Sequence, residues 1–362
     1  MTRMGLVTAS GGRRGMRRPA NDLPSPPDYA SALKMSPLRD GAWLTGVDGR
    51  RRLDMCQANG AVLLGWNDPG VEAAVGEAAH GLQGQVAGRL SEITPGAEAV
   101  AFEASVASAM AAVLLAARTV TGRDGAYFCD EAVSALGETE TLAEVMETRA
   151  GEMAALVVRP LDAPPAFLKA ARRLSERHGV MLVLEESRSA LRVHRAGAQG
   201  LSGVTADAVI FGPSLANGRE LAAVTGNIEL MSAVRRQGPA PEPAAFAAAL
   251  AVLARMERED VAQTLQVIGA EITAEVEQRF ARTGADAFVS VCGDPSWSVV
   301  AGDPAFEAAL SEALAREGVL SFGAHTPSAA CGADEIAYLL AAYDRALPRA
   351  LERARWTGLR AG

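Results

Sequence analysis

Two lysines, Lys34 and Lys169, are all that this chain of 362 residues contains. Chemistry that needs a side-chain amine as nucleophile therefore has two candidates and no others. Cysteine is scarce too: Cys56, Cys129, Cys292 and Cys331 stand apart with no C-x-x-C pair. That spacing excludes a disulfide framework and a zinc site, and it fits small buried hydrophobes in a reducing compartment. Of the four histidines, His80, His178 and His325 read as helix-end or loop residues, and no histidine shares ligand spacing with another or with a cysteine, so no metal is expected. No Gly-x-Ser-x-Gly elbow occurs, and Gly11-Gly12 lacks the Lys-Ser/Thr of a phosphate loop. A basic excess is also missing. The net charge is −8, which argues against a nucleic-acid partner, because neutralising phosphates needs a positive face. No stretch reaches the ~20 uninterrupted apolar residues of a membrane span; the richest run, from Ala101 to Val120, carries Glu103, Ser105, Ser108 and Arg118. The one basic run, Arg3, Arg13, Arg14, Arg17 and Arg18, is followed by no apolar stretch that would make a signal peptide, so a cytoplasmic location is expected.

What is present is 49% hydrophobic residues and 22% charge, enough for one large domain and a smaller one. Residues 1–28 read as a disordered leader ending at Pro24, Pro26 and Pro27. Residues 41–54 alternate around Asp48-Gly49, a hairpin signal, and Pro69 opens a helix running to His80. From about 97 helices and strands alternate: a helix over 105–120, a strand at 154–158, a helix over 164–178, a buried strand from Val180 to Leu184, and a strand from Ala208 to Phe211 ended by Gly212-Pro213. That order implies a mostly parallel sheet covered on both faces. Residues 243–280 read as one long connecting helix with a charged face from Arg255 to Asp260. A strand region near 287–300, a helix over 304–317 capped by Gly318 and a last helix over 333–346 follow.

Several blocks, in order over roughly 38–348, resemble the class III aminotransferases, and most of all the glutamate-1-semialdehyde aminomutases. The first runs from Asp40-Gly41 through Asp48-Gly49, Leu53-Asp54 and Gly60 to Gly65 and Asp68-Pro69, with Trp66 where the family has histidine. The second covers Ala112 to Arg118 and Thr121-Gly122-Arg123-Asp124. The third runs from Ala154 to Pro160 and on through Arg172, Gly179 and Leu182 to Glu186, Arg192, Gly197 and Gln199. The fourth runs from Ala206-Asp207 through Gly212 to Gly226 and Met231. The resemblance implies an α/β fold of the type I pyridoxal phosphate (PLP)-dependent transferases: a large, mostly parallel domain, a small α+β domain from both chain ends, and a homodimer. On this frame residues 29–95 open the small domain, 96–280 form the large domain with the connecting helix, and 281–362 complete the small domain.

The same resemblance exposes departures. The family sets its Schiff-base lysine directly after a glycine that closes a strand, and here that pair is Gly212-Pro213, followed by Ser214. Glu185 stands for the aspartate that meets the cofactor ring nitrogen. The phosphate turn reads Ser105-Val106-Ala107, in place of a serine, a glycine and a second hydroxyl. Residues 236–243, where a threonine lent to the partner subunit is implied, contain no hydroxyl. Phe128-Cys129-Asp130-Glu131 replaces an aromatic turn, and Arg159 replaces a glutamate before Pro160. The degenerate cofactor positions are thus Ser105, Glu185 and Pro213, and the expectation is that no cofactor is bound.

Trp66, Ser105, Arg159, Arg188 and Ser214 are the cleft residues implied by the topology. Glu185, Glu186 and His194 are the candidate acid–base set, since paired carboxylates can push one pKa towards neutrality. Alternatively Glu185 is an inherited carboxylate paired with Arg188 or Arg192. Two functions stay open. One is a pseudoenzyme: a homodimeric scaffold, a regulator, or the inactive partner of an active homologue in a heteromer. The other is a PLP-independent enzyme using the cleft on a small amino or keto acid or a biosynthetic intermediate.

Overall fold

The computed structural model describes residue 33 and residues 36–78, 81–129, 138–161 and 163–356; the leader expected over 1–28 lies outside the described residues. The hairpin around Asp48-Gly49 is present. Strands β1 (Leu38–Asp40), β2 (Trp43–Thr45) and β3 (Arg51–Asp54) run antiparallel, Trp43 opposite Leu53. Asp48 shapes the turn by accepting the Arg50 N–H on Oδ1 at 3.1 Å, and Gly49 takes a φ of +72°. Beyond β3, Gln57, Ala58, Asn59 and Gly60 form one left-handed turn with φ of +42°, +53°, +54° and +72°. Three of the four carry a Cβ, at a cost on the order of 1 kcal/mol each. Local bonds hold the turn: Asp54 Oδ1 accepts from the Cys56 and Gln57 N–H groups, and Gln57 Nε2 donates to the Asp54 carbonyl. Helix α1 (Pro69–Gly76) starts where Asp68 caps it, accepting from the Gly70 and Val71 N–H groups at 3.0 Å. It ends at Gly76, short of His80, which lies outside the described residues.

After α2 (Leu82–Ile93) the chain builds its main sheet from β4 (Ala99–Glu103), β5 (Gly125–Phe128), β6 (Met153–Val158), β7 (Met181–Glu185), β8 (Ala208–Phe211) and β9 (Ala222–Gly226), in the spatial order β4-β9-β8-β7-β6-β5. Helices α3 (Val106–Thr121), α4 (Thr139–Arg149), α5 (Pro165–His178), α6 (Gly197–Ser202) and α7 (Ile228–Met231) lie between or after the strands. Strands β5 to β8 are parallel, while β9 runs against both β8 and β4. It follows that β4 points the same way as β5 to β8, so five carboxyl ends share one edge. Every residue of β6, β8 and β9 is buried, as a sheet covered on both faces requires.

The expected connecting helix is two helices, α8 (Pro243–Arg258) and α9 (Val261–Thr283). The break is local. Asp260 Oδ1 accepts the Gln263 N–H at 3.0 Å and caps α9, so the charged run from Arg255 to Asp260 marks a helix end and the next start instead of one continuous face. A hairpin of β10 (Val289–Asp294) and β11 (Trp297–Gly302) follows, then α10 (Pro304–Arg316), β12 (Val319–Leu320), β13 (Ala324–His325) and α11 (Ala333–Trp356), which runs past its expected end at 346. Strand β12 pairs in parallel with β3, Val319 opposite Leu53, so early and late segments of the chain share the sheet β1-β2-β3-β12. One core packs about the main sheet through Leu156, Phe167, Leu182 and Phe246; a second, with Phe280, Phe306, Leu339 and Tyr343, packs under the small sheets. Among the described residues no helix is long and apolar enough to cross a membrane.

Candidate functional site

Ligands of open α/β sheets bind beyond the carboxyl ends of the strands, and the loops after β4, β6, β7 and β8 all leave the sheet at that edge. After β4, Ser105 caps α3: its Oγ accepts the Ser108 N–H at 3.1 Å and lies 3.0 Å from Ser108 Oγ. Ser105 is exposed, so this helix start presents hydroxyls and its positive dipole end outward, a setting that favours an anion. Glu103, the last residue of β4, is buried and accepts from the Gln237 and Gly238 N–H groups at 2.7 and 3.0 Å. It fastens the hydroxyl-free stretch 236–243 against α3, so closely that a Cβ on Gly238 would come within 3.0 Å of Ser108 Oγ.

After β6 and β7 the chain sets Arg159 beside Glu185. Arg159 Nε donates to Glu185 Oε2 at 2.8 Å, and the Ser187 N–H donates to Oε1 at 3.0 Å. The Glu185 side chain is 7% exposed and that of Arg159 50% exposed. This corrects the expected pairing of Glu185 with Arg188 or Arg192. Both of those arginines instead lie over the Trp297 ring, at 5.3 and 5.8 Å from its centroid. Arg192 is fully buried and donates to the carbonyls of Gly60, Ser296 and Pro327 at 2.8 to 2.9 Å, clasping three chain segments together.

Glu186 does not face its neighbour's partners. Adjacent residues at a strand end point to opposite sides, and Glu186 turns inward to accept the Ala198 N–H on both oxygens and the Ser189 hydroxyl at 3.0 Å. Gly197, at φ +62°, is wrapped on this carboxylate so tightly that a Cβ would meet Oε2 at 2.1 Å. Burial pushes the Glu186 carboxyl up to about 7, with the Glu185 charge the smallest contribution, so the expected like-charge origin of a raised acid is a minor one here. His194 is partly buried; its Nδ1 accepts the Ala196 N–H at 3.0 Å and its ring packs against Gly200.

After β8, Gly212 leads into a 3-10 turn opened by Pro213, with Ser214 buried. Gly212 lies against Ser187, a Cβ there meeting Ser187 Cβ at 2.5 Å, so the loops after β7 and β8 are in contact. Asn217 closes this turn at φ +50° and reaches back, accepting from the Leu63 and Leu64 N–H groups and donating to the Gly65 carbonyl. Its role is absent from the sequence reading, although the Asn-Gly pair at 217–218 is a turn signal that could have flagged it. Trp66, next to that segment, donates Nε1 to Asp54 Oδ2 at 2.9 Å beneath the Arg39 guanidinium. Of the aromatic-turn replacement, Phe128 is 45% exposed and Cys129 is buried, while Asp130 and Glu131 lie outside the described residues. Lys169 is exposed on α5, and Lys34 lies outside the described residues.

The architecture is that of the type I PLP-dependent transferases. It superposes on the structure of the PLP internal aldimine form of the FumI protein from Sphingopyxis sp. MTA144 with a TM-score of 0.80, at 21% identity over 91% of each chain. A transaminase with PLP bound gives the same TM-score at 22% identity, covering 90% of this chain and 97% of that one. The model of the class III aminotransferases matches residues 102–328, and the chain belongs to that family. In sequence it is 28% identical, over 66% of its length and 68% of the relative's, to glutamate-1-semialdehyde 2,1-aminomutase of Roseiflexus castenholzii. These findings overturn the expectation that no cofactor goes with this cleft, because solved relatives of the same fold carry PLP.

Proposed function

We propose that this protein is a class III aminotransferase-family member that takes a PLP-type ligand by non-covalent contacts and has given up transamination, serving as a dimeric scaffold, a regulator, or the partner of an active homologue. One observation carries the reading: the turn after β8 begins Gly212-Pro213, where the family resemblance places the lysine. Bound PLP supplies an electron-withdrawing ring to amine substrates, and the enzyme's own amine normally anchors it and shuttles the proton. The residues present fit the ligand in part. Ser105 and Ser108 at the start of α3 suit a phosphate, and Glu185, whose oxygens keep further lone pairs, suits a ring nitrogen. Pro213 has no amine for a covalent link.

The expected result is PLP that binds in equilibrium dialysis but is removed by gel filtration, with no phosphopyridoxyl mass on any cleft peptide after borohydride reduction. Pro213→Lys should gain such an adduct and still fail to transaminate. A reducible adduct in the unaltered cleft would overturn the non-covalent reading, and failure to retain any PLP in dialysis would remove the ligand.

A homodimer is part of this proposal. Helix α3 leaves Ala107, Ala111 and Leu115 exposed at i, i+4 spacing, Leu115 by 44%, an apolar stripe suited to a second copy. Light scattering at micromolar concentration should give the dimer mass, and Leu115→Glu should shift it to monomer; a monodisperse monomer from the unaltered chain would count against it.

A second reading, an enzyme acting on a small amino or keto acid, is favoured by the half-exposed Arg159 at the strand edge.

A further inference from the structure

The chain contains two Asn-Gly pairs, Asn59-Gly60 and Asn217-Gly218. Such a pair can rearrange without a catalyst, because glycine brings no Cβ to keep its backbone nitrogen from the amide carbon of the residue before it. By sequence the two pairs are alike; the fold separates them. Asn217 Oδ1 accepts from the Leu63 and Leu64 N–H groups at 2.8 and 2.9 Å, and its Nδ2 donates to the Gly65 carbonyl at 2.9 Å. Both ends of that amide are fixed on another segment, so turning it onto the Gly218 nitrogen breaks all three bonds. Asn59 is exposed, and among the described residues its amide is bonded to no other group. Each glycine N–H is itself engaged, Gly60 with the Cys56 carbonyl at 2.8 Å and Gly218 with the Pro213 carbonyl at 2.9 Å, so that cost is common to both pairs. The turn around Asn59 also opens with a gain. Gln57, Ala58 and Asn59 each hold a Cβ in the left-handed region, at φ of +42°, +53° and +54°, and that strain is released on opening.

We propose that Asn59 is a self-modification site of this protein, with the chain's own amide as substrate and water as co-reactant. The Gly60 backbone nitrogen gives its proton to solvent base and attacks Asn59 Cγ; the N–Cγ bond forms, the Cγ–Nδ2 bond breaks, and ammonia leaves. Water then opens the cyclic imide. Opening at the side-chain carbonyl leaves aspartate. Opening at the main-chain carbonyl leaves isoaspartate, which runs the backbone through Cβ and Cγ and lengthens it by a methylene. The product falls on a joint of the fold. The Gly60 carbonyl accepts from the buried Arg192 at 2.8 Å, and Gly60 lies so close to Trp297 that a Cβ would come within 2.3 Å of the ring. An isoaspartate shifts the peptide that Arg192 grips, and the clasp loosens as the protein ages.

The test incubates the full chain at neutral and at mildly alkaline pH, digests it in acid, and maps it by mass spectrometry with fragmentation that separates aspartate from isoaspartate. The expected result is acid at position 59, formed faster at the higher pH because the attacking nitrogen must lose a proton. Asn217 should convert roughly tenfold or more slowly, as three extra hydrogen bonds to open require. In guanidinium chloride, where the fold is gone, the two pairs should convert at similar rates. Asn59→Gln, whose closure needs a larger ring, should stay unconverted. The aged chain should melt below the fresh one, whereas Asn59→Asp, which changes the charge and not the backbone length, should melt with it. An Asn59 that survives in the folded chain while converting in denaturant, or an Asn217 that converts in the fold as fast as Asn59, would overturn the assignment. An aged chain rich in isoaspartate that melts like the fresh one would overturn the link to the clasp.

Discussion

Arg192→Met should destabilise the folded chain by about 3 kcal/mol or more, seen as a lower melting temperature and an earlier urea midpoint. Arg192 is fully buried, and its guanidinium donates to the carbonyls of Gly60, Ser296 and Pro327. Methionine fills much of the space but leaves three buried acceptors without that donor, and an unmade buried bond costs more than a made one contributes. Burial lowers the guanidinium pKa to about 10, so it stays charged at neutral pH, with the Trp297 ring beneath it. The loss extends beyond the bonds themselves. Gly60 closes the left-handed turn, and its Cα lies against Trp297, where a Cβ would come within 2.3 Å of the ring. Without the clasp that strained turn loses a restraint. Arg192→Lys should recover part of the stability, since an ammonium offers donors but not the fork. An unchanged melting temperature in Arg192→Met would show that the three segments hold together without it.

The second large effect is electrostatic and appears as a difference in pH dependence. Glu186 titrates near 4.5 when unfolded and about 7 in the fold, because burial penalises its charge. Between those values the folded chain keeps a proton that the unfolded chain has released. Its contribution is therefore fully present below 4.5 and is lost as the pH rises through 7, about 3 kcal/mol in all. His325 works the other way. Burial lowers it to about 4, so its contribution is present above 6.5 and is lost as the pH falls through 4. The two oppose each other in the unaltered protein, and only a comparison separates them. Glu186→Gln keeps a carbonyl oxygen for the Ala198 N–H but has no charge to bury. Relative to the unaltered chain it should gain stability steadily from pH 4.5 to 7. Parallel stability curves for the two proteins over that range would show that Glu186 does not titrate there.

These effects bear on how the site is built. Glu185 and Glu186 are adjacent in sequence, and their pairing as an acid–base couple is a reasonable expectation from spacing alone. The strand geometry separates them: one faces Arg159 at the cleft, the other is spent on the loop at Ala198 and Ser189. Arg188 and Arg192 are nearer to Glu185 in sequence than Arg159, 26 residues away, yet Arg159 is the partner, because β6 lies beside β7. Local pattern cannot foresee which strands become neighbours.

What the sequence by itself determined is the residue chemistry and the order of the elements. Two lysines in 362 residues, a proline at 213 after the glycine that ends a strand, and alternating helices and buried strands from 97 to 211 are legible without coordinates, because side-chain identity and short-range periodicity are local properties. Only the tertiary structure decided the rest. It cut the expected long helix at Glu259-Asp260 through the cap on Gln263, joined β3 to β12 across most of the chain, aimed Glu186 away from Glu185, and bound Arg192 to three distant carbonyls. Each of these depends on a partner far away in sequence, brought close by sheet order and burial, and no window of neighbouring residues carries that information.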